Sequence, residues 1–297
     1  MLRGSLVAIV TPMTTDGSLD WAAWERLLDF HLREGTDGIV IAGTTGESPT
    51  LSLEETEELT RRAVERCRGR VALIVGCGTN ATASTVARTR RLSRLGVDGI
   101  LLVTPYYNKP PQEGLFRHFS AAADASEVPV VLYNVPNRTA VDLQPATVAR
   151  LARHPRITAL KDASASLARV SELLHACPAD FSVLSGDDAT AIEWIGAGAH
   201  GVISVTANAV PRRMREACAA ALAGDMATAR AIDAKLQPLH KNLFLEANPI
   251  PVKWAVARMG LIGSAIRLPL AELPLAQHDA VLGAMRAAGI TLEDQAA

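Results

Sequence analysis

Ile157-Thr158-Ala159-Leu160-Lys161-Asp162-Ala163-Ser164 is apolar for most of four residues, then charged, then turn-like. An apolar run without in-and-out alternation is the pattern of a parallel strand covered on both faces. The same shape recurs along the chain. Leu6–Val10, Gly38–Ala42, Val71–Val75, Gly99–Val103, Val130–Tyr133, Ile157–Leu160, Ser182–Leu184 and Gly201–Val205 make eight expected strands. Helical spacing fills the intervals, as in Trp21–Glu34, Leu53–Arg68, Ala83–Leu95, Glu113–Ala125 and Pro145–Ala152. Ser52-Leu53-Glu54-Glu55 matches a capping box, Pro145 suits a first helical turn, and Gly35 and Gly96 are expected at helix ends. Eight βα units with right-handed crossovers close into an α/β (β/α)8 TIM barrel. An open doubly wound sheet is the alternative, but no GxGxxG follows the first strand. From Pro211 onward the chain is rich in Ala, Leu and Arg and too long for one closing helix. The expected division is a barrel catalytic domain over 1–225 and a small C-terminal helical extension over 226–297.

Lys161 closes its apolar run in a chain with 25 Arg and only 5 Lys. The other lysines, at 109, 235, 241 and 253, lie in polar loops or helix-like stretches and are expected to be solvated. An amine removed from water gives up its proton more readily, and a neutral amine attacks carbonyls to form a Schiff base, which arginine cannot do. The segment alone reads equally well as a lysine reaching water or paired with Asp162.

Composition narrows the function classes. The 297 residues are 48% hydrophobic and 21% charged, with a net charge of −1 and no basic stripe, which argues against a nucleic-acid partner. The arginines at 61, 62, 66, 68 and 70 alternate with acids and apolar residues, as on the solvated face of a helix. No apolar stretch approaches the ~20 residues of a membrane span, and Leu6–Val10 is too short for a signal-peptide core. Four scattered cysteines without CxxC fit reduced thiols and a cytoplasmic location. The seven histidines show no HxH or HExxH and none sits at a C-terminal strand end, so no metal site is expected. GxSxG and P-loop motifs are absent.

Barrel active sites gather at the C-terminal ends of the strands. Here those ends include Gly43-Thr44-Thr45-Gly46-Glu47, Thr104-Pro105-Tyr106-Tyr107, Tyr133-Asn134, Lys161-Asp162, Ser185-Gly186-Asp187-Asp188 and Thr206-Ala207-Asn208, and all 3 tyrosines are among them. Gly43–Gly46 reads as a simple turn or as a cradle for a small carboxylate. Tyr133, beside the strand of Lys161, reads as a core tyrosine or a proton carrier. Arg138 reads as a surface arginine or as the carboxylate clamp of a pocket poor in cations.

Six co-linear motifs carry a resemblance: Gly43-Thr44-Thr45-Gly46-Glu47-Ser48, Thr104–Pro110, Tyr133–Thr139, Lys161-Asp162-Ala163, Ser185–Asp188 and Asn248-Pro249-Ile250-Pro251-Val252-Lys253-Trp254. Together they resemble the dihydrodipicolinate synthase family of pyruvate-dependent class I aldolases. The resemblance implies condensation of pyruvate with L-aspartate 4-semialdehyde through a Schiff base on Lys161, without a cofactor. It implies proton transfer by Tyr133 through Thr44 and Tyr107, pyruvate contacts from Thr45, the backbone at Ile203 and Gly186, and a carboxylate contact from Arg138. It also implies a homo-oligomer, at least a dimer and commonly a tetramer, with Tyr107 crossing a dimer interface. Asp162 stands where glutamate is usual, Ser164 where threonine is common, and Cys77 where threonine or alanine is common. In the cleft where lysine-inhibited members bind lysine, Ser48, Asn80 and Tyr106 are kept. Leu53 and Thr56 replace histidines there, and Ser84 replaces an acid, which implies weak or absent feedback. Other pyruvate aldolases, such as N-acetylneuraminate or 2-keto-3-deoxy-sugar acid lyases, are the alternative. A non-catalytic pyruvate-binding regulator is a reading from another class.

Overall fold

The computed structural model describes residues 1–292. Its eight parallel strands are β1 (Gly4–Ala8), β2 (Gly38–Ile41), β3 (Ala72–Gly76), β4 (Gly99–Val103), β5 (Val130–Asn134), β6 (Ile157–Asp162), β7 (Ser182–Ser185) and β8 (Gly201–Ser204). They close in sequence order, with Leu6 of β1 opposite Ile203 of β8. The helices between them are α1 (Trp21–Glu34), α2 (Leu53–Cys67), α3 (Thr82–Leu92), α4 (Gln112–Asp124), the single turn α5 (Pro136–Thr139), α6 (Pro145–Leu151), α7 (Leu167–Ala176) and α8 (Ala191–Gly196). After β8 come α9 (Pro211–Leu222), α10 (Met226–Asn242), α11 (Ile250–Arg258) and α12 (Leu275–Ala287). The fold is a (β/α)8 barrel with a C-terminal helical extension.

All eight expected strands form, β4 with the expected bounds and the other seven with ends shifted by one or two residues. β1 lies two residues earlier than expected because Gly4 and Ser5 join the ladder with β8. Val10 instead donates its N–H to the side chain of Asn208 at 3.0 Å, which also bonds the Ala8 carbonyl at 2.8 Å and so ties the β1–β8 seam. The Ser52–Glu55 capping box is present, and Gly35 ends α1 at φ 79°. Gly96 does not cap α3: that helix ends at Leu92, and Gly96 serves the following turn. No helix among the described residues is long and apolar enough to cross a membrane.

Strand parity sorts the core. Leu6, Val40, Ile74, Leu101, Val131, Ala159, Leu184 and Ile203 fill the barrel interior, and a larger apolar layer packs strands against helices. Because side chains alternate, the parity that sends Val131 and Ala159 inward also sends Tyr133 and Lys161 inward at the barrel mouth.

Candidate active site

β5 and β6 pair with Tyr133 opposite Lys161, so both side chains rise from one rung of the sheet. Lys161 is only 5% exposed. Its Nζ lies 4.3 Å from the centroid of the Tyr133 ring. The neighbouring carboxylate does not neutralise it. Asp162 accepts from Ser164 N at 2.8 Å through Oδ1, and from Asn134 Nδ2 at 3.0 Å and Arg169 Nε at 3.1 Å through Oδ2. Lys161 makes no carboxylate pair among the described residues. Lys161 is thus buried beside an aromatic ring with no carboxylate paired to it, a placement that suits a nucleophile better than a structural cation. Gly186 is required beside it: a Cβ there would stand 3.1 Å from Lys161 Cε and 2.9 Å from Ala163 Cβ.

Above this rung opens a cavity of about 330 Å³. Thr44, Tyr133 and Arg138 line it, along with Ser48, Tyr106 and Arg88. Lys161 does not line it; its Nζ packs against the Tyr133 ring, which does. Thr45 is buried one residue from Thr44 and accepts from Asn248 Nδ2 at 3.0 Å. Arg138, on α5 and exposed at the rim, donates to the Asn248 carbonyl at 3.3 Å. Ile203 belongs to the interior cluster that contains Tyr133. Cys77 also lines the cavity, but burial pushes its thiol up to about 12, so it is not a thiolate nucleophile at neutral pH.

Tyr107 is set apart. It is 88% exposed, with φ at 74°, on the β4–α4 loop. Asn108 anchors that loop by donating to the Asn80 carbonyl at 2.8 Å. Among the described residues no side-chain hydrogen bond joins Thr44, Tyr133 and Tyr107. Ser48 and Tyr106 share the main cavity, whereas Ser84 is exposed in the first turn of α3 and Asn80 is half-buried.

Two expectations are corrected. Lys253 is not solvated: it is 1% exposed on α11, and its Nζ donates to buried Glu47. Burial pushes its amine below the ordinary lysine range, and the adjacent Glu47 carboxylate opposes that shift. A lysine inside the apolar run Ile250–Val256 is the same sign that singled out Lys161, and it deserved the same weight. The cavity is also less poor in cations than expected. Arg88 lines it, and its Nε is shielded without a hydrogen-bond partner. Nothing in the α3 sequence separated Arg88 from the neighbouring solvated arginines. Asn248 was missed as well; its place beside Pro249 in a quoted motif was the available signal. His118 and Phe119 do not line the cavity, and no cluster of three or more metal-ligating side chains occurs among the described residues.

The sequence profile of the Dihydrodipicolinate synthetase family matches residues 1–288. A 4-hydroxy-tetrahydrodipicolinate synthase of Azoarcus sp. strain BH72 is 56% identical over 290 residues, covering 98% of this chain and 99% of that protein. The corresponding Methylococcus capsulatus protein is 53% identical over 98% of this chain and 100% of its own length. In structure, the chain resembles the chloride-inhibited dihydrodipicolinate synthase of Acinetobacter baumannii complexed with pyruvate. That match has a TM-score of 0.96 and 47% identity, covering 98% of this chain and 100% of the other. The Aquifex aeolicus enzyme matches with a TM-score of 0.96 at 41% identity, covering 99% and 100%. With the profile and these relatives spanning nearly its whole length, the chain belongs to the dihydrodipicolinate synthetase family.

Proposed function

We infer that pyruvate is activated here as a Schiff base on Lys161 and then joined to L-aspartate 4-semialdehyde. The chain has 4-hydroxy-tetrahydrodipicolinate synthase activity, a lyase-class reaction of diaminopimelate and lysine biosynthesis. In the proposed route Lys161 Nζ attacks C2 of pyruvate and water leaves, giving an iminium. The methyl carbon loses a proton to form an enamine, and that carbon attacks the aldehyde, whose oxygen takes up a proton. The amino group of the second substrate then attacks C2 and expels Lys161, closing the ring with its hydroxyl retained. The iminium is the electron sink, so the reading needs no cofactor.

The observation that carries this reading is Lys161 at the barrel mouth, under the Tyr133 ring, with its neighbouring carboxylate engaged elsewhere. Tyr133 and Thr44 move protons, Thr45, Gly186 and the Ile203 backbone seat pyruvate, and Arg138 at the rim receives the semialdehyde carboxylate. Borohydride added with pyruvate should fix one adduct on the Lys161 peptide, detected by intact and peptide mass. Undiminished labelling of Lys161→Ala would remove the assignment. A substrate panel led by aspartate semialdehyde separates this reading from other pyruvate aldolases.

Two finer proposals accompany it. The working unit is an oligomer, at least a dimer and in the family pattern a tetramer, in which the outward Tyr107 completes a neighbour's relay. Feedback by lysine is weak. Ser48, Asn80 and Tyr106 offer only neutral hydrogen bonds, Ser84 supplies no negative charge, and Arg88 presents a cation where lysine would bring two ammonium groups. Loss of one charge-assisted bond is worth roughly 1.5–3 kcal/mol. Inhibition is therefore expected only at millimolar lysine or above, and Ser84→Glu combined with Arg88→Leu should increase it. Potent inhibition of the unmodified protein at sub-millimolar lysine would refute this reading of the cleft.

A further inference from the structure

The loop after β2 holds Thr44 and Thr45, yet much of what fixes it comes from the far end of the chain. Its turn is closed by Gly46 N to Gly43 O and Glu47 N to Thr44 O, each at 3.1 Å. Glu47 sits in the left-handed region at φ 58°, a conformation that a non-glycine residue holds only when its surroundings impose it. What imposes it is a set of contacts from the extension. Lys253 of α11 donates to Glu47 Oε1. The backbone N–H of Arg267 donates to Glu47 Oε2 at 3.2 Å. The Arg267 guanidinium donates to Gly17 O at 2.8 Å and Thr50 O at 2.7 Å, and it pairs with Glu55 of α2. Asn248 donates to Thr45 Oγ1, and its own carbonyl accepts from Arg138. Lys253 and Glu47 are both buried, and neither lines the cavity.

We propose that the buried Glu47–Lys253 pair is a positioning device, through which the C-terminal extension sets the pyruvate-contacting threonines by gripping their loop from behind. This rests on the reading of Thr44 and Thr45 given above. A purely apolar contact would fill the same space without fixing one orientation. A carboxylate bonded at both oxygens, to Nζ on one side and to a backbone N–H on the other, admits a single placement of Glu47. Because Glu47 N bonds Thr44 O, that placement carries directly to Thr44. Neither Glu47 nor Lys253 is a catalytic residue in this account. Lys253 is a poor candidate for a second Schiff-base lysine, since its amine is held by Glu47 away from the cavity.

The test compares full-length Glu47→Gln, Lys253→Met and the double variant with the unmodified protein. Each single variant leaves one buried polar partner unmatched and should tilt the loop. The expected result is a pyruvate KM raised about tenfold and a kcat lowered by up to ~10²-fold, the scale of a 1 Å misplacement remote from the chemistry. The semialdehyde KM should hold, because Arg138 stands on α5 and is hydrogen-bonded to neither Glu47 nor Lys253. The double variant should recover part of the loss, and borohydride at saturating pyruvate should still label Lys161 in all of them. A drop in melting temperature with unchanged kinetic constants would overturn the proposal and leave the pair as a structural contact only. Should these variants not fold, Glu47→Asp, which keeps the charge but shortens the reach to Lys253, decides the matter: a raised pyruvate KM supports the proposal and an unchanged one overturns it. Absence of a Lys161 adduct in the unmodified protein would instead defeat the Schiff-base reading, so the two failures are distinguishable.

Discussion

Lys161 and Lys253 are both buried, and their surroundings give them different work. Lys161 faces the ring of Tyr133, which lines the cavity, while the carboxylate next to it in sequence is bonded to Arg169, Asn134 and the Ser164 backbone. Lys253 faces a dedicated carboxylate and no cavity. Burial alone therefore does not mark a reactive lysine. What separates the two is the placement of the nearest negative charge and access to a space where a carbonyl could sit. A lysine held by its own counter-ion is a strut; one with no carboxylate partner, packed on a ring that lines a pocket, is placed for chemistry.

The largest effect that could break this contrast is at Lys161 itself. Lys161→Arg keeps the charge and much of the reach but cannot form an imine, so turnover should fall to background and borohydride labelling should vanish. Retained turnover would mean that a different amine, Lys253 included, carries the reaction. A smaller effect tests the ring above Lys161. Tyr133→Phe and Thr44→Val should each lower kcat on the order of 10²-fold, as general acid–base groups do. The double variant should be little worse than the poorer single one, and fully multiplicative losses would argue against a shared relay. Mixing inactive Tyr107→Phe and Lys161→Ala subunits should restore part of the activity if Tyr107 serves a neighbour.

The smallest effect concerns a third buried base, His31 on α1, which has neither a counter-charge nor a cavity. Its Nδ1 meets Thr36 Oγ1 at 2.9 Å, and burial lowers its pKa from 6.5 to about 3. The folded state thus refuses a proton that the unfolded chain accepts. The stabilising contribution is complete above about pH 6.5 and declines as pH falls toward 3. The slope is about 1.4 kcal/mol per pH unit, or roughly 2 kcal/mol between pH 6.5 and 5. Urea unfolding at several pH values should show this slope, flattened in His31→Gln. A pH-independent stability over that range would show that burial does not strip His31 of its charge.

The sequence made the barrel legible because eight unalternating apolar runs have few other architectures open to them. Lys161 stood out because an apolar strand gives a charge no cheap place to go. The strand ends were less legible: β1 is set by its pairing with β8 and by the side chain of Asn208, both some 200 residues away. The role of Lys253 was hidden for the same reason. The apolar run around it marks a buried lysine, but not which role it takes, and Glu47, which decides that, lies 206 residues earlier. Arg88 looked like any arginine on an amphipathic helix, since nothing local says which face meets the cavity. Tyr107 was found at the expected loop, exposed and, among the described residues, without a side-chain hydrogen bond to Thr44 or Tyr133.

The long span between Glu47 and Lys253 also has a consequence for how the protein comes into being. A ribosome adding about 5–20 residues per second needs roughly 10–40 s to travel the 206 positions between them. Through that interval the nascent chain holds Thr44 and Thr45 but not the residues that brace them. The threonine loop is among the first segments made and among the last that can settle.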